Sequence, residues 1–420
     1  GSMGRPKGCV LTHSNFVELS RNSALALKDV VALPNSSTLL FITTAHVFAR
    51  FISILNIHAG VRTGHEPDTS NLLPALASFK PTFLLAVPRV FEKVYNASEQ
   101  KAEGEGKGKI FRMAAATAIE HSRLSEAGEK IPLGMRVKFA LFDKLVYAKL
   151  RAAMGGRVAY AVSGSAPLGE RLGHFFHSLG IVILEGYGLT ETTAPATVNL
   201  AHKSKIGTVG PALPGVGVRI DDEGEISVRG INVFKEYWRN PEATAESFDD
   251  GWFKTGDLGA FDSDGFLTVT GRIKELIVTA GGKNVAPAAL EDPIRANPIV
   301  GQVVAVGDQK PFIGALVTLD TEMLPTWLAN NKLDANMPLE RAIVHPAVRA
   351  EVQRAIDTAN AQVSRAESIR KFTILPTEWT EASGHLTPKL SIKRGVILKD
   401  FAGAIEELYH VPVDTTNLSI

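Results

Sequence analysis

Tyr187-Gly188-Leu189-Thr190-Glu191-Thr192-Thr193 follows an apolar run at residues 181–184 and decides how the rest of the chain is read. A short apolar run closed by Glu185-Gly186 reads as a buried strand, which puts Tyr187 at a strand end. Glycines on both sides of it let the backbone come close to a ligand, so the ring can lie against a flat face. Thr190 and Glu191 then present a hydroxyl and a carboxylate on the next turn. A carboxylate suits Mg²⁺, which takes oxygen ligands and keeps several waters while bridging phosphates. The same letters also fit a helix N-terminus with an acidic first turn.

Three more strings lie outward from this one. Upstream, Gly4-Arg5-Pro6-Lys7-Gly8 places glycines, whose N–H groups can approach an anion, beside a mobile lysine charge. A Gly-Pro turn with a solvated lysine explains the same residues. Downstream come Gly251-Trp252-Phe253-Lys254-Thr255-Gly256-Asp257-Leu258 and Gly271-Arg272-Ile273-Lys274-Glu275-Leu276-Ile277. Asp257 reads as a loop tip between strands, where its carboxylate could accept two hydroxyl hydrogens. A turn-forming Asp and a surface-paired Arg272 are the plain alternatives. Ser163-Gly164-Ser165-Ala166-Pro167 follows another strand-like run and can bring backbone up to a flat ring, or simply turn a strand into a helix.

At 420 residues the chain has room for two or three domains. Forty-five Lys and Arg against forty-four Asp and Glu leave +1, so no global field recruits nucleic acid. Anion binding must come from local sites. Cys9 is the only cysteine, which excludes an internal disulfide and a cysteine-built metal site, and a reducing cytosol fits. Residues 38–61 are long and apolar, but His46, Arg50 and His58 within them argue for buried core rather than a membrane span. No charged-then-apolar signal segment opens the sequence. Gly1-Ser2-Met3 reads as a cloning remnant.

Strand-like runs at 38–43, 83–87, 158–162 and 181–185 alternate with helical stretches such as 71–78 and 131–154. Alternation of this kind predicts a parallel sheet with helices on its faces, with ligands beyond the carboxyl ends of its strands. Residues 97–108 carry hardly any apolar anchor and read as a mobile surface segment. Residues 207–270 read as a small β-rich subdomain with a hairpin turn at Asp221-Asp222-Glu223-Gly224. Beyond Lys274 a compact α+β module follows, with strands at 302–306 and 313–319 and a helix at 346–363.

Together, in this order, the four strings resemble the adenylate-forming enzymes, which join a carboxylic acid to AMP and usually pass the acyl group to a thiol. The resemblance spans nearly the whole chain. It implies an α/β large domain at 1–271, a hinge at 272–275 and a small α+β C-terminal domain at 276–420. It implies that Lys7 and Gly8 hold phosphate, and that Gly164, Ser165, Gly186, Tyr187 and Gly188 surround adenine. Thr190 would touch phosphate, Glu191 would hold Mg²⁺, and Asp257 with Arg272 would clamp the ribose. Lys274 would be the hinge, and Gly281 and Gly282 would line the thiol channel, although a plain turn explains both glycines. The tail Thr387-Pro388-Lys389-Leu390-Ser391-Ile392-Lys393-Arg394 departs from the family's pattern: Ser391 occupies the catalytic lysine's place, and Lys389, two residues earlier, is the substitute expected. A solvated basic tail is the competing reading. His46 matches a motif near the acyl entrance, against the ordinary reading of a hydrogen-bonded core histidine.

Val87-Pro88-Arg89-Val90-Phe91-Glu92-Lys93-Val94-Tyr95-Asn96 looks most like the bacterial long-chain fatty acyl-CoA synthetases. The substrates implied are a long-chain fatty acid, ATP with Mg²⁺, and CoA. The implied setting is cytoplasmic, with peripheral membrane contact and homo-oligomer formation left open. Two other readings stand beside it: a fatty acyl-AMP ligase that hands the adenylate to a carrier protein, and a non-catalytic nucleotide-binding fragment. The last arises because the family's N-terminal subdomain and half its phosphate loop have no counterpart here, which also implies weak or no activity.

Overall fold

The computed structural model describes residues 7–68, 71–387 and 391–410. They form two compact units, one covering Lys7–Val269 and the other the residues from Thr270 onward.

The first unit opens with strand β1 (Cys9–Val10) and helix α1 (His13–Ala26). Thr12 and Asn15 close a reciprocal capping box that fixes where α1 starts. Next come α2 (Lys28–Val31), β2 (Ser37–Leu40), α3 (Val47–Ala59), β3 (Arg62–His65), α4 (Leu72–Phe79) and β4 (Phe83–Ala86). The apolar stretch at 38–61 is thus a strand and a thirteen-residue helix. Among the described residues no helix is long and apolar enough to cross a membrane.

A helical excursion then separates β4 from the next strand: α5 (Pro88–Gly104), α6 (Gly108–Glu126), α7 (Leu133–Phe142), a π-helical turn at Asp143–Tyr147, and α8 (Ala148–Ala153). Residues 97–108, expected to be a mobile segment, are mostly the end of α5 and the start of α6. The expectation counted apolar anchors and overlooked propensity, since Ala, Glu, Gln and Lys are strong helix formers. Gln100 is buried there, and Glu103 pairs with Arg112 across the two helices.

Strands β5 (Tyr160–Ser163) and β6 (Val182–Leu189) join β4 as parallel neighbours, with α9 (Glu170–Ser178) between them in sequence; β7 (Ala194–Val198) returns antiparallel to β6. Every residue of β4 is buried, as expected of a parallel strand covered on both faces. Its side chains alternate: Phe83 and Leu85 enter the core shared with α1 and α3, while Leu84 and Ala86 enter the core shared with α5 and α6. Burial of each such phenylalanine or leucine contributes about 1.5–3 kcal/mol.

The β-rich part holds β8 (Val216–Ile220), β9 (Glu225–Gly230), β10 (Glu236–Tyr237), α10 (Pro241–Glu246), β11 (Phe248–Asp249), β12 (Trp252–Phe261) and β13 (Leu267–Arg272). The sheet order is β11-β12-β9-β8, with β13 on β12. The β8–β9 turn is the expected one, with Asp221 Oδ1 accepting from the N–H groups of Glu223 and Glu225. β10 instead pairs with β1, which ties the N-terminal end of the described chain to this region.

In the second unit a short hairpin, β14 (Ile277–Val278) with β15 (Asn284–Val285), precedes the sheet of β16 (Val300–Val306), β17 (Ile313–Leu319) and β18 (Ile369–Ile374). Helices Ala288–Arg295 and Pro346–Asn360 complete its own apolar core. Arg394 grips both carboxylate oxygens of buried Glu291, at 2.6 and 2.7 Å.

Candidate active site

The carboxyl ends of β5 and β6 bring the first two motifs together. Ser163 pairs with Glu185, so Gly164 follows directly beside Gly186, and a Cβ on Gly164 would lie 3.4 Å from the Gly186 carbonyl. Ser165 takes a left-handed backbone, φ 74°, which turns the chain sharply away from the strand.

β6 then runs through the Tyr187 motif into a single 3₁₀ turn, Thr190–Thr192, and β7. The helix N-terminus that these residues also suggested does not form. The ladder slips between Tyr187 and Gly188, and Gly188 sits so close to Ala194 that a Cβ would fall 1.6 Å from its carbonyl oxygen. Only glycine fits there. The turn holds itself: Thr192 Oγ1 accepts from Leu189 N–H at 2.8 Å and donates to Ala194 O at 2.8 Å. Thr190 faces outward and is exposed, while Glu191 is half-buried.

Asp257 is not at a loop tip. It lies within β12, where the pairing with β9 breaks between Lys254 and Leu258, and it is only 4% exposed. Gly256 N–H donates to Glu225 and Thr255 Oγ1 to Ile226 O, so the break is held open by the partner strand. The bulge turns Asp257 toward β6, where the Tyr187 phenol donates to Asp257 Oδ2 at 2.6 Å. Two motifs seventy residues apart thereby share one hydrogen bond.

Glu191 is joined to Lys7 and Cys9 by a group the sequence did not mark. Tyr237, on β10, donates its phenol to Glu191 Oε1 at 2.8 Å, and Lys7 Nζ lies 4.5 Å from the centre of the same ring. Phe234 N–H donates to the Glu191 carbonyl at 2.7 Å. Gly8 O accepts from Trp238 N–H at 2.7 Å, and Cys9 pairs with Tyr237 in the β1–β10 ladder. Burial, with Glu191 beside it, pushes the Cys9 thiol up to about 12 and holds the Tyr237 phenol above its ordinary range. Nothing in the spacing around Tyr237 announces this role; the strand pairing creates it.

Next to Gly186, Glu185 is buried and accepts from Leu168 N–H at 3.0 Å. Burial outweighs that hydrogen bond and pushes its carboxyl up to about 7. His46 is neither a core histidine nor a free base: it caps α3, its Nδ1 accepting from Phe48 N–H at 3.2 Å.

The remaining expected residues lie in the second unit. Arg272 ends β13, Lys274 lies in the 3₁₀ turn Ile273–Glu275, and Gly281 and Gly282 form the β14–β15 turn, with Gly282 at φ 77°. Lys389 lies outside the described residues. Ser391 N–H donates to Thr387 Oγ1 at 3.1 Å, and the neighbouring Arg394 is committed to Glu291.

Residues 1–238 match the AMP-binding enzyme family and residues 274–412 the AMP-binding enzyme C-terminal domain. The chain is 52% identical over 410 residues to the long-chain-fatty-acid–CoA ligase FadD15 of Mycobacterium tuberculosis, covering 98% of this chain and 68% of that protein. It is 35% identical to the putative fatty-acid–CoA ligase fadD11 of the same species, over 97% of this chain and 72% of the relative. Among solved structures, the adenylation domain of a carboxylate reductase from Mycobacterium chelonae superposes with a TM-score of 0.73 at 23% identity, over 98% of this chain and 59% of the other. That likeness is one of fold. By family match, sequence identity and architecture, the chain belongs to the AMP-binding enzymes and has the adenylate-forming fold.

Proposed function

We propose that this protein activates a long-chain fatty acid with ATP, giving an acyl-adenylate and pyrophosphate, and then transfers the acyl group to CoA with release of AMP. The 52% identity to a long-chain-fatty-acid–CoA ligase supports the substrate class. The observation that carries the chemistry is the convergence of Lys7, Tyr187, Glu191 and Asp257 around the end of β6 through the Tyr187–Asp257 and Tyr237–Glu191 hydrogen bonds.

In this reading the Tyr187 ring lies against adenine, with the Gly164–Ser165 backbone on the other side and Gly186 and Gly188 giving close approach. Asp257 accepts from the ribose hydroxyls, and Arg272 donates to their oxygens. Lys7 and Thr190 face the phosphates, Lys7 as a point charge steadied over the Tyr237 ring. No cluster of three His, Cys, Asp or Glu that could cage a metal exists among the described residues. Glu191 alone fits a cation whose other ligands are phosphate oxygens and water, as Mg²⁺ prefers. When bound there, Mg²⁺ supplies charge neutralisation of the phosphates. The chain's own work is positioning and electrostatics: the fatty carboxylate is aligned on the α-phosphorus, and no protein nucleophile takes part. Lys389 supplies the charge that the lysine at the Ser391 position supplies elsewhere. Lys274 is the hinge on which the C-terminal unit changes pose, Gly281 and Gly282 border the thiol path, and His46 stands at the acyl entrance.

The test is an assay with ATP, Mg²⁺, palmitate and CoA, following pyrophosphate and acyl-CoA separately, on this chain and on a version extended to its relatives' length. Acyl-CoA formation is expected from the extended version. Pyrophosphate release without acyl-CoA would replace CoA by a carrier protein, and AMP binding without either product from both versions would leave a nucleotide-binding protein only.

A further inference from the structure

Helix α7 is apolar on two sides, and only one of them is covered. Its inner side packs into the core through buried Phe142 and through Phe139, which stacks on His121 at 4.2 Å, and Tyr147 in the following π turn donates to Ala114 O at 2.7 Å. Its outer side exposes Leu133 (75%), Val137 (63%), Leu141 (55%) and, in the π turn, Leu145 (47%). Four-residue steps drift round an α-helix by about 40° each. The wider π turn at Asp143–Tyr147 winds fewer degrees per residue, which brings Leu145 back toward the line of the other three. A helix apolar all round is ordinarily buried all round. The other exposed apolar side chains stand singly, as Ile57 and Trp238 do, or in pairs, as Ile110 and Met113 on α6 do, and none makes a row of four.

The row is set in positive charge. Residues 130–149 contain five basic side chains, Lys130, Arg136, Lys138, Lys144 and Lys149, all exposed. Their one acidic residue, Asp143, is held by Arg151 at 2.7 Å. The whole chain carries only +1, so this face is a local concentration. An apolar row flanked by lysine and arginine on a helix too short to span a bilayer is the pattern of an interfacial helix. A second copy of the chain would bring basic face against basic face, which the charges oppose.

We propose that the outer face of α7 and its π turn docks on an anionic lipid bilayer, with Leu133, Val137, Leu141 and Leu145 entering the headgroup–acyl boundary and the lysines and arginines meeting lipid phosphates. The surface lies apart from the nucleotide motifs in sequence and uses none of their residues, so docking does not depend on turnover.

The experiment is sedimentation of the chain with vesicles of phosphatidylcholine and phosphatidylglycerol in equal parts, against vesicles of phosphatidylcholine alone. The chain is expected to sediment with the anionic vesicles, less so as salt rises, and to remain free of the neutral ones. Val137→Asp/Leu141→Asp is expected to lower the partition at least about tenfold, and Arg136→Glu/Lys138→Glu by a similar factor. All four positions are exposed, so the unfolding midpoint should stay in place, which separates lost docking from lost fold. Leu141→Trp gives a second reading, a blue shift and gain in emission on adding anionic vesicles. Absence of binding to anionic vesicles, equal binding to both kinds, or unchanged binding by the paired variants would overturn the proposal. So would a concentration-dependent dimer abolished by Val137→Asp/Leu141→Asp, which would make the face a self-interface. Loss of binding in a version extended to the relatives' length would likewise assign the face to a segment of the protein itself.

Discussion

The Tyr237 phenol donates to Glu191 Oε1 at 2.8 Å, from a strand only two residues long. That strand exists because Cys9–Val10 pairs with it, so Cys9 and Val10 hold the residue that holds Glu191. Phe234 packs on the Tyr237 ring at 4.7 Å and is itself backed by Phe248 and Phe253.

Tyr237→Phe keeps the ring under Lys7 and removes only the hydroxyl that steadies Glu191. A hydrogen bond to a charged group is worth about 1.5–3 kcal/mol. The variant should therefore need about tenfold more Mg²⁺ for half-maximal pyrophosphate release, with an unfolding midpoint close to the parent's. Tyr237→Ala should in addition lose about 3 kcal/mol of stability. An unchanged Mg²⁺ dependence in Tyr237→Phe would make the contact idle.

The Tyr187–Asp257 bond at 2.6 Å makes a second separable claim. If the phenol orients Asp257 for a ribose, Tyr187→Phe should weaken AMP binding about fivefold, and Asp257→Ala more strongly. The two losses should not add, because they share one contact. Calorimetric titration of AMP into both single variants and the double variant measures the coupling. Strict additivity would show that the bond does not serve the nucleotide.

Much of this was legible in the sequence, for definite reasons. Parallel strands buried on both faces print as continuous apolar runs, which is why β2, β4, β5 and β6 could be placed to within a few residues. Glycines forced by close approach also print clearly, Gly188 above all. Three things did not. The helical continuation through residues 97–108 rests on propensity and on a Glu103–Arg112 pair between helices, neither of which leaves an apolar period. The placing of Asp257 within a strand depends on a bulge whose cause is the partner strand. Tyr237 reaches Glu191 only after a long-range strand pairing forms, and no local pattern encodes such a pairing.

Cys9 offers a chemical probe of that pairing. Burial first, and then Glu191, raises its thiol to about 12. Three units above an ordinary thiol means about a thousandfold less thiolate at neutral pH. Iodoacetamide should alkylate the native chain far more slowly than the urea-unfolded chain. Glu191→Gln should speed the native reaction, since it removes the neighbouring negative charge. Native alkylation at the rate of a free thiol would contradict the placing of half-buried Cys9 in the β1–β10 pairing beside Glu191.

Glu185 sets a pH dependence of definite sign. Its carboxyl is pushed up to about 7 by burial, against the lowering effect of Leu168 N–H, and Glu170 adds to the rise. The unfolded chain releases this proton near the ordinary value of 4.5, so between about 4.5 and 7 the folded state binds more protons than the unfolded one. Stability from this group is therefore fully present below about 4.5 and is lost as pH rises through about 7. His121, His174 and His177 act oppositely: burial lowers all three, so their share of stability is lost as pH falls below the usual histidine range. Glu185→Gln removes the first effect and leaves the second. The variant should be more stable than the parent by about 3 kcal/mol at pH 8 and indistinguishable from it at about pH 4. Urea unfolding across that range measures both limbs. A Glu185→Gln variant less stable than the parent at pH 8 would mean the carboxylate is ionised and partnered in the fold.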